Sequence, residues 1–294
     1  MKSLKKYPTH FYFGIVILLL AWFFNWYLTG LRTHLLFFPL WLGYSLTVDG
    51  IVWHRKGSSL LTRGFKKYLM LFLISIPVWW FFELLNNVTS NWHYLGRDSF
   101  SDFEYFVYAS INFSTVIPAV FGSAELAGTF KWIKNMGPGP RISSGKNSTI
   151  LLIIIGMIMM ALLLSKPSIF YIFLWLSLFF ILDSINHLFG IRSLVSYTNN
   201  KNWKPLVSLA IGCLICGFFW EMWNFYAYPK WIYHTSGVEF LYVFEMPLLG
   251  YLGYIPFSFE LFAFYHLFSR VRSGVESEYY IQLVDPLISK SVDG

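Results

Sequence analysis

Eight apolar stretches, each close to the length of a membrane span, constrain this chain more than any other feature. A transmembrane helix needs about 20 mostly apolar residues, and lipid-exposed backbone cannot stay unpaired in hydrocarbon. Of the 294 residues, 56% are hydrophobic and 13% are charged, against about 25% charged in soluble domains. We therefore predict an all-α polytopic membrane protein and exclude a soluble enzyme. The predicted spans are Phe11–Leu28, Leu35–Trp53, Tyr68–Leu85, Phe103–Phe121, Ile150–Leu164, Ile169–Leu188, Leu206–Trp220 and Phe240–Phe264.

The distribution of basic residues predicts how the spans are oriented. With eight spans, most of the 22 Lys and Arg residues fall on one side of the membrane. Because cytoplasmic loops carry an excess of Lys and Arg, we expect both termini in the cytoplasm and the protein in a cell membrane, most naturally the bacterial inner membrane. The net charge of +7 is then a topological signal, so no nucleic-acid partner is expected. The exceptions on the outer side are Arg32, Arg97, Lys166 and Lys230.

The second half of the chain repeats polar residues of the first half in the same order. Each half has four spans, an even number, so both halves enter the bilayer in the same sense and form two parallel four-helix repeats about an axis along the membrane normal. We predict a first repeat at 1–125, a cytoplasmic linker at 126–149, a second repeat at 150–269 and a cytoplasmic tail at 270–294. The matching residues include Asp49 with Asp183, Ser59 with Ser193, Glu83 with Glu221, Asn86 with Asn224 and Pro118 with Pro256.

Carboxylates in the outer half of the membrane are the candidate catalytic groups. Glu83 and Asn86 share one helix face, as do Glu221 and Asn224. Desolvation and the helix dipole disfavour the ionised form of both acids, and a protonated carboxylic acid beside an amide is a candidate general acid. We therefore predict Glu83, Glu221 and Glu245 as acid or base groups, oriented by Asn86 and Asn224. The alternative is a pair of interhelical hydrogen bonds, Glu83 to Asn224 and Glu221 to Asn86.

Glu245 breaks the symmetry of the two halves. The sequence predicts that it lies in the outer half of the last span, and its counterpart in the first half is Val107. A third carboxylate in one half only is what a duplicated scaffold with a single active site would show. The alternative, that Glu245 is an interface residue before a later-starting helix, stays open.

An Asp–His pair with a neighbouring Arg stands near the inner end of each half. Such pairs can relay protons or hold a metal, but an adjacent Arg favours ion pairing at the membrane boundary. No nucleotide, haem or metalloprotease motif is present, so we expect no cofactor and no metal. The residues concerned are Asp49, His54 and Arg55 in the first half and Asp183, His187 and Arg192 in the second.

One segment of the second half resembles the integral-membrane lycopene cyclases of the heterodimeric and fusion types. An acid ends a span at Glu221, followed by Trp231-Ile232-Tyr233 and then by Ile255-Pro256-Phe257-Ser258-Phe259-Glu260-Leu261-Phe262. That family is built from duplicated membrane units and carries a Pro-x-Glu-Glu-x-x-Phe-Phe signature that supplies its acid. Here the distance from Pro256 to Glu260 is longer and the second Glu is absent. The resemblance implies acid-catalysed modification of an isoprenoid or carotenoid.

These observations predict three functions from different classes. The first is a cofactor-independent cyclase or isomerase that performs acid–base chemistry (cyclisation, isomerisation or hydration) on an isoprenoid, carotenoid or other membrane lipid. Aromatic residues make up 21% of the chain, and rings beside the acids would stabilise a carbocation. The second is a transporter or proton-coupled permease with parallel internal repeats. The third is a non-catalytic membrane scaffold. The expected partner is a membrane lipid or isoprenoid substrate, and the sequence leaves the oligomeric state open.

Overall fold

The computed structural model describes residues 6–234, 237–273 and 279–283. Within them, eight helical segments are long and apolar enough to cross a membrane, which confirms the predicted number of spans and the class of integral membrane protein. The helices are α1 (Thr9–Tyr27), α2 (Thr33–Lys56), α3 (Leu60–Arg63), α4 (Phe65–Thr89), α5 (Asp102–Phe113), α6 (Val116–Ala127), α7 (Lys131–Lys134), α8 (Lys146–Ser165), α9 (Pro167–Phe170), α10 (Leu174–Leu188), α11 (Leu194–Asn199), α12 (Lys204–Phe225) and α13 (Tyr254–Ser273).

Close helix crossings build the bundle. A Cβ on Gly43 of α2 would lie 2.5 Å from the Leu18 amide of α1, and one on Gly212 of α12 would lie 2.4 Å from the Ala124 amide of α6. Small residues permit such backbone approach, which drives helix packing in lipid. The spans α1 and α8 are the least buried, so they present apolar side chains to lipid. The aromatic core lies between α2, α4, α10, α12 and α13.

Two short strands cross one end of the bundle. Strand β1 (Trp92–Leu95) pairs antiparallel with β2 (Lys230–Tyr233), and Trp92 lies opposite Tyr233 and Tyr94 opposite Trp231. Because side chains alternate along a strand, these four aromatic residues share one face. We call them the aromatic lid and this end of the bundle the lid end. The opposite end, where Lys56, Arg63 and Arg192 lie, is the basic end.

The last span begins later than the sequence predicts. Hydropathy gives Phe240–Phe264, whereas the structure has Leu248–Arg272. Residues 240–247 are apolar but form a hairpin of two short strands, β3 (Tyr242–Val243) and β4 (Met246–Pro247). The predicted linker at 126–149 is also shorter in the structure, because α6 runs to Ala127 and α8 begins at Lys146.

The paired aspartates Asp49 and Asp183 cap short helices. Asp49 Oδ1 accepts a hydrogen bond from the Leu61 amide at 3.0 Å, at the start of α3. Asp183 Oδ1 accepts one from the Leu194 amide at 2.7 Å, at the start of α11. A carboxylate at a helix N-terminus satisfies amides that have no intrahelical partner and complements the helix dipole. The two halves therefore use their aspartates in the same way.

The predicted Asp–His pairs are wrong. The His54 ring stacks on a tyrosine near the N-terminus, and His187 Nδ1 lies 2.9 Å from the Ser196 hydroxyl. A different histidine, His10, places its Nε2 3.0 Å from the Asp49 carboxylate. The expected Asp–Arg pairing is wrong too: Arg55 donates to the Thr129 hydroxyl at 2.9 Å. Proximity in sequence does not predict the partners of Asp49 and Asp183. The N-termini of α3 and α11 come later in the chain, and their amide groups already hydrogen-bond to both carboxylates.

A piece of the predicted cytoplasmic tail is buried. Ile281 is fully buried at the basic end, and Tyr280 is 4% exposed. Arg63 of the first half donates to the Tyr280 carbonyl oxygen at 3.0 Å, and Arg192 of the second half donates to the Ile281 carbonyl oxygen at 2.6 Å. The segment therefore bridges the two halves, which hydropathy alone does not predict. Residues 284–294 of the predicted tail lie outside the described residues.

Candidate active site

Glu221 is a fully buried carboxyl group near the lid end of α12. Its Oε1 accepts a hydrogen bond from the Tyr233 hydroxyl of the lid at 2.8 Å and from the Tyr254 hydroxyl at the start of α13 at 2.6 Å. Its Oε2 has no hydrogen-bond partner among the described residues. The carboxyl group is therefore only half satisfied, which is costly in a buried position and typical of a reactive group.

Glu83, the counterpart on α4, is half-buried and differently bonded. Its Oε1 accepts from the indole N–H groups of Trp79 at 2.9 Å and Trp92 at 3.1 Å, and from the Tyr94 hydroxyl at 2.5 Å. Three donors on one oxygen offset part of the cost of burying an ionised carboxylate. Neither acid forms an ion pair with another of the described residues.

The lid tyrosines keep their protons. Burial and the adjacent Glu83 carboxylate raise the pKa of Tyr94 well above its usual value, and burial and Glu221 do the same for Tyr233. Both phenols therefore stay neutral at physiological pH and can donate to the carboxyl groups behind them.

Asn86 and Asn224 bind the lid strands and not the acids. Asn86 donates to the Trp92 carbonyl oxygen at 2.8 Å and accepts from the Trp92 amide at 3.2 Å. Asn224 donates to the Trp231 carbonyl oxygen at 2.7 Å and accepts from the Trp231 amide at 3.0 Å. Neither of the expected hydrogen bonds from an Asn to the Glu of the other half forms. The two amides instead hold the lid on the helices that carry the acids.

A reciprocal exchange of two residues explains why the acids differ. In the register that aligns Glu83 with Glu221, Trp79 aligns with Gly217 and Val116 aligns with Tyr254. A Cβ on Gly217 would lie 2.4 Å from the Tyr254 ring. The missing side chain at 217 therefore gives Tyr254 the space from which it reaches Glu221. In the first half, the Trp79 indole supplies a donor in place of that phenol.

Glu245 lies outside the helical spans, in the turn between β3 and β4. It forms an ion pair with Lys230 of the lid strand, and the two side chains are about one fifth exposed. The prediction that it lies within the last span is wrong, because the apolar residues before it form the hairpin. Among the described residues it shares no hydrogen bond with Glu221 or Glu83, and its charge acts on Glu221 through space.

A cavity of about 610 Å³ lies against the inner face of the aromatic lid, between the two halves. All four lid residues line it, together with Tyr254, whereas Glu83 and Glu221 do not. Each acid thus lies one hydrogen bond behind the cavity wall. The remaining aromatic walls come from both halves: Phe37, Trp79, Phe113, Trp175, Trp220 and Phe257.

The histidines beside the lid do not form a metal centre with the acids. His93 and His234 place their ring centroids 5.1 Å apart. In the part of the chain that the structure describes, no three or more His, Cys, Asp or Glu residues are grouped closely enough to hold a metal ion.

Sequence reasoning missed Tyr254 and the roles of Trp79 and Tyr233. Tyr254 sits among other aromatic residues at the start of a span, where an interface belt alone would place it. The available signal was the mismatch in the repeat, where a Trp aligns with a Gly and a Val aligns with a Tyr. Mismatched residues before and after a pair of matched acids indicate that the two acids have different surroundings.

The described residues thus form an integral membrane protein of eight helical spans, with the fully buried Glu221 and the half-buried Glu83 behind an aromatic cavity. Comparisons with protein-family models, with curated protein sequences and with solved structures gave no significant match.

Proposed function

We propose that this protein is a cofactor-independent membrane enzyme that performs acid–base chemistry on an isoprenoid or related lipid held in the cavity. The observation that carries the proposal is the fully buried Glu221 carboxyl, hydrogen-bonded from two phenols that line the cavity. Buried carboxyl groups inside a membrane protein are costly and tend to serve function. An unpartnered oxygen alone does not distinguish Glu221, because both carboxyl oxygens of the buried Glu260 also have no partner among the described residues. The hydrogen bonds to two phenols of the cavity wall do distinguish it.

The two phenols allow a proton to be delivered and recovered at one carboxyl group. In the protonation step the Tyr254 hydroxyl rotates from Glu221 toward the substrate, so that protonated Glu221 now donates to the phenol oxygen. Glu221 passes its proton to that oxygen while Tyr254 gives its own proton to an alkene carbon of the substrate. The carbocation then loses a proton from a neighbouring carbon to the Tyr233 oxygen, and Tyr233 passes its proton to the Glu221 carboxylate. The donor–acceptor distances of 2.6 and 2.8 Å fit both transfers. The cycle is neutral in protons and yields an isomerised or cyclised product.

The cavity walls suit a cationic intermediate. Trp220 stacks on Tyr254 with ring centroids 5.9 Å apart, and Trp175 and Phe257 face the same space. Aromatic faces stabilise a nearby cation, and more strongly where water is excluded. The second half of the chain resembles the integral-membrane lycopene cyclases, and an isoprenoid or carotenoid substrate agrees with that resemblance.

We further propose that the two halves are parallel repeats related by a two-fold axis along the bundle. The pairing of Trp92 with Tyr233 and of Tyr94 with Trp231 is unchanged when each residue is exchanged for its counterpart in the other half. A two-fold axis between the strands produces such a register. With the basic end in the cytoplasm, both termini lie there and the lid faces outward from a bacterial inner membrane.

The test is expression in a host that makes polyprenoids and carotenoids, followed by mass spectrometry of the lipid extract. The wild-type chain should produce a new lipid species. Glu221→Gln should abolish it at an equal level of membrane-inserted protein. Glu83→Gln is the matched control, because it alters the corresponding acid of the other half and should leave the new species detectable.

Two results would overturn the proposal. One is an unchanged lipid profile in a host whose membranes contain both substrate classes. The other is a new species that persists in Glu221→Gln. Uptake or efflux by vesicles without any change in lipid composition would instead identify a transporter.

A further inference from the structure

The two ends of the cavity differ in chemistry. At the first-half end the wall carries polar side chains, and at the second-half end it is mostly aliphatic. The polar wall comprises His34, Arg97, Tyr105, Tyr108 and Asn112. The aliphatic wall comprises Ile172, Leu176, Met246, Leu249 and Leu252.

The polar wall is specific to the first half. In the register that aligns Glu83 with Glu221, Tyr108 of α5 aligns with Met246 and Asn112 aligns with Gly250. The two walls therefore differ in backbone as well as in side chains, since Tyr108 and Asn112 lie on helix α5, whereas Met246 lies in strand β4 and Gly250 in the 3₁₀ turn that follows it. A cavity for a symmetric hydrocarbon would have similar walls at both ends. A cavity for an amphiphile needs one polar end and one apolar end, as observed here.

The polar wall has hydrogen-bonding capacity that the protein leaves unused. His34 Nδ1 and Asn112 Oδ1 are buried and have no hydrogen-bond partner among the described residues. The His34 ring packs against Tyr108 with ring centroids 4.9 Å apart, so the two residues form one surface. Buried polar groups without partners are rare in native proteins and require an explanation. When the two side chains rotate these atoms toward the cavity, a bound headgroup that offers both a donor and an acceptor would supply one.

The charge balance at this wall favours a neutral headgroup. Arg97 lies over the Tyr105 ring at 4.2 Å and forms an ion pair with Asp102. The other cation that lines the cavity, Lys230, is paired with Glu245. Both positive charges are therefore already matched by carboxylates. The groups of the polar wall that remain available to a ligand are phenol, amide and imidazole groups, which form hydrogen bonds with a neutral hydroxyl group.

We propose that the cavity binds an amphiphilic isoprenoid whose neutral, hydroxylated headgroup lies against His34, Tyr108 and Asn112. The chain then runs beneath the aromatic lid, past Tyr254, toward the aliphatic wall. The inference rests on the proposed function, because it names the substrate class of the same cavity. In this arrangement the double bonds of the isoprenoid lie near Glu221 and its headgroup lies near Glu83.

The experiment measures binding without turnover. Trp79, Trp92, Trp175, Trp220 and Trp231 line the cavity, so quenching of intrinsic fluorescence reports its occupancy in the purified protein in nanodiscs. The probes are geranylgeraniol, the hydrocarbon with the same carbon skeleton, and geranylgeranyl monophosphate. The alcohol should bind about tenfold more tightly than the hydrocarbon, as one or two hydrogen bonds would give, and more tightly than the monophosphate.

Variants locate the headgroup. Asn112→Leu should reduce the preference for alcohol over hydrocarbon to about two- to threefold, and the conservative Tyr108→Phe should reduce it partly. Phe106→Leu, on the exposed face of the same helix α5, is the matched control and should leave the preference unchanged. Equal binding of alcohol and hydrocarbon, tighter binding of the monophosphate, or a preference untouched by Asn112→Leu would overturn the inference.

The failures of the two proposals can be told apart. Glu221→Gln should keep the preference for the alcohol, because the acid does not line the cavity. If the preference is absent while Glu221→Gln still abolishes the lipid product, the headgroup assignment fails and the enzyme proposal stands. If the preference is present but no product forms in any host, the binding site stands and the enzyme proposal fails.

Discussion

The surroundings of Glu83 and Glu221 have the same overall arrangement and differ at two aligned positions, one before the acid in the chain and one after it. Both acids precede an Asn that holds a lid strand, and both accept a hydrogen bond from a lid tyrosine. Trp79 then adds an indole donor to Glu83, whereas Gly217 leaves room for a second phenol at Glu221. The first carboxyl has three donors on one oxygen, and the second has two donors and an unpartnered oxygen. The two acids at matching positions therefore have different hydrogen-bond surroundings, and the proposed chemistry depends on that difference.

The largest effect is expected when the second half is rebuilt as the first. Gly217→Trp alone should be destabilised, because even a Cβ there would collide with the Tyr254 ring and overpacking costs about 1–3 kcal/mol. The double variant Gly217→Trp/Tyr254→Val copies the first-half pair. It should regain stability in thermal unfolding yet lose product by about 10²-fold or more. A double variant that is both stable and active would refute the comparison.

A smaller effect is expected when one phenol is removed from each acid. Tyr254→Phe removes the phenol that relays the Glu221 proton to the substrate and should slow product formation about 10²-fold, the lower end of what a general acid contributes. Tyr94→Phe leaves two indole donors on Glu83 and should slow it by less than about threefold. The measurement is the initial rate of product formation in membranes. Equal losses in both variants would show that the acids are equivalent.

The lid clamps should be equivalent in the two halves. Asn86→Leu and Asn224→Leu each leave the backbone of a lid tryptophan without its amide partner. Each should therefore lower the free energy of unfolding by about 1–3 kcal/mol. Thermal unfolding in the same detergent tests this, with Asn87→Leu as a control on the exposed side of α4. A much larger loss at one of the two positions would mean that only that half anchors the lid.

The smallest effect is expected at Glu245. Its ion pair with Lys230 is partly exposed, and such pairs contribute about 0–1 kcal/mol. Glu245→Gln should leave both the thermal unfolding and the rate of product formation close to the wild-type values. A loss of product comparable to that of Glu221→Gln would show that Glu245 is also a catalytic acid and that Glu221 does not act alone.

Hydropathy predicts the transmembrane architecture because span length is set by the bilayer. All eight spans appear, and the first begins at Thr9 where the sequence predicts Phe11. The failure at Phe240–Phe264 has a physical cause. The lid-end hairpin is almost as apolar as a span, although residues 240–243 are exposed and Phe244 packs on the Phe218 and Phe225 rings. Composition cannot separate a short strand from a helix end.

The candidate site is only partly predictable. Glu83 and Glu221 are visible because acids are rare in apolar spans. The donors to Glu221 are not, because Tyr254 comes 33 residues later in the chain and its position depends on the space left by Gly217. The burial of the segment at Ile281 cannot be predicted from the sequence for a similar reason. Backbone carbonyl groups that accept hydrogen bonds from distant arginines leave no sequence pattern.

Infrared difference spectroscopy tests most directly the claim that Glu221 holds the reactive proton and Glu83 does not. A protonated carboxyl group shows a C=O stretch that shifts when its proton is replaced by deuterium. The account predicts that this band near neutral pH has one component that Glu221→Gln removes and Glu83→Gln retains. The fully buried Glu260, whose two carboxyl oxygens have no hydrogen-bond partner among the described residues, contributes a separate component that both variants keep. A band that disappears in Glu83→Gln and persists in Glu221→Gln would contradict the account.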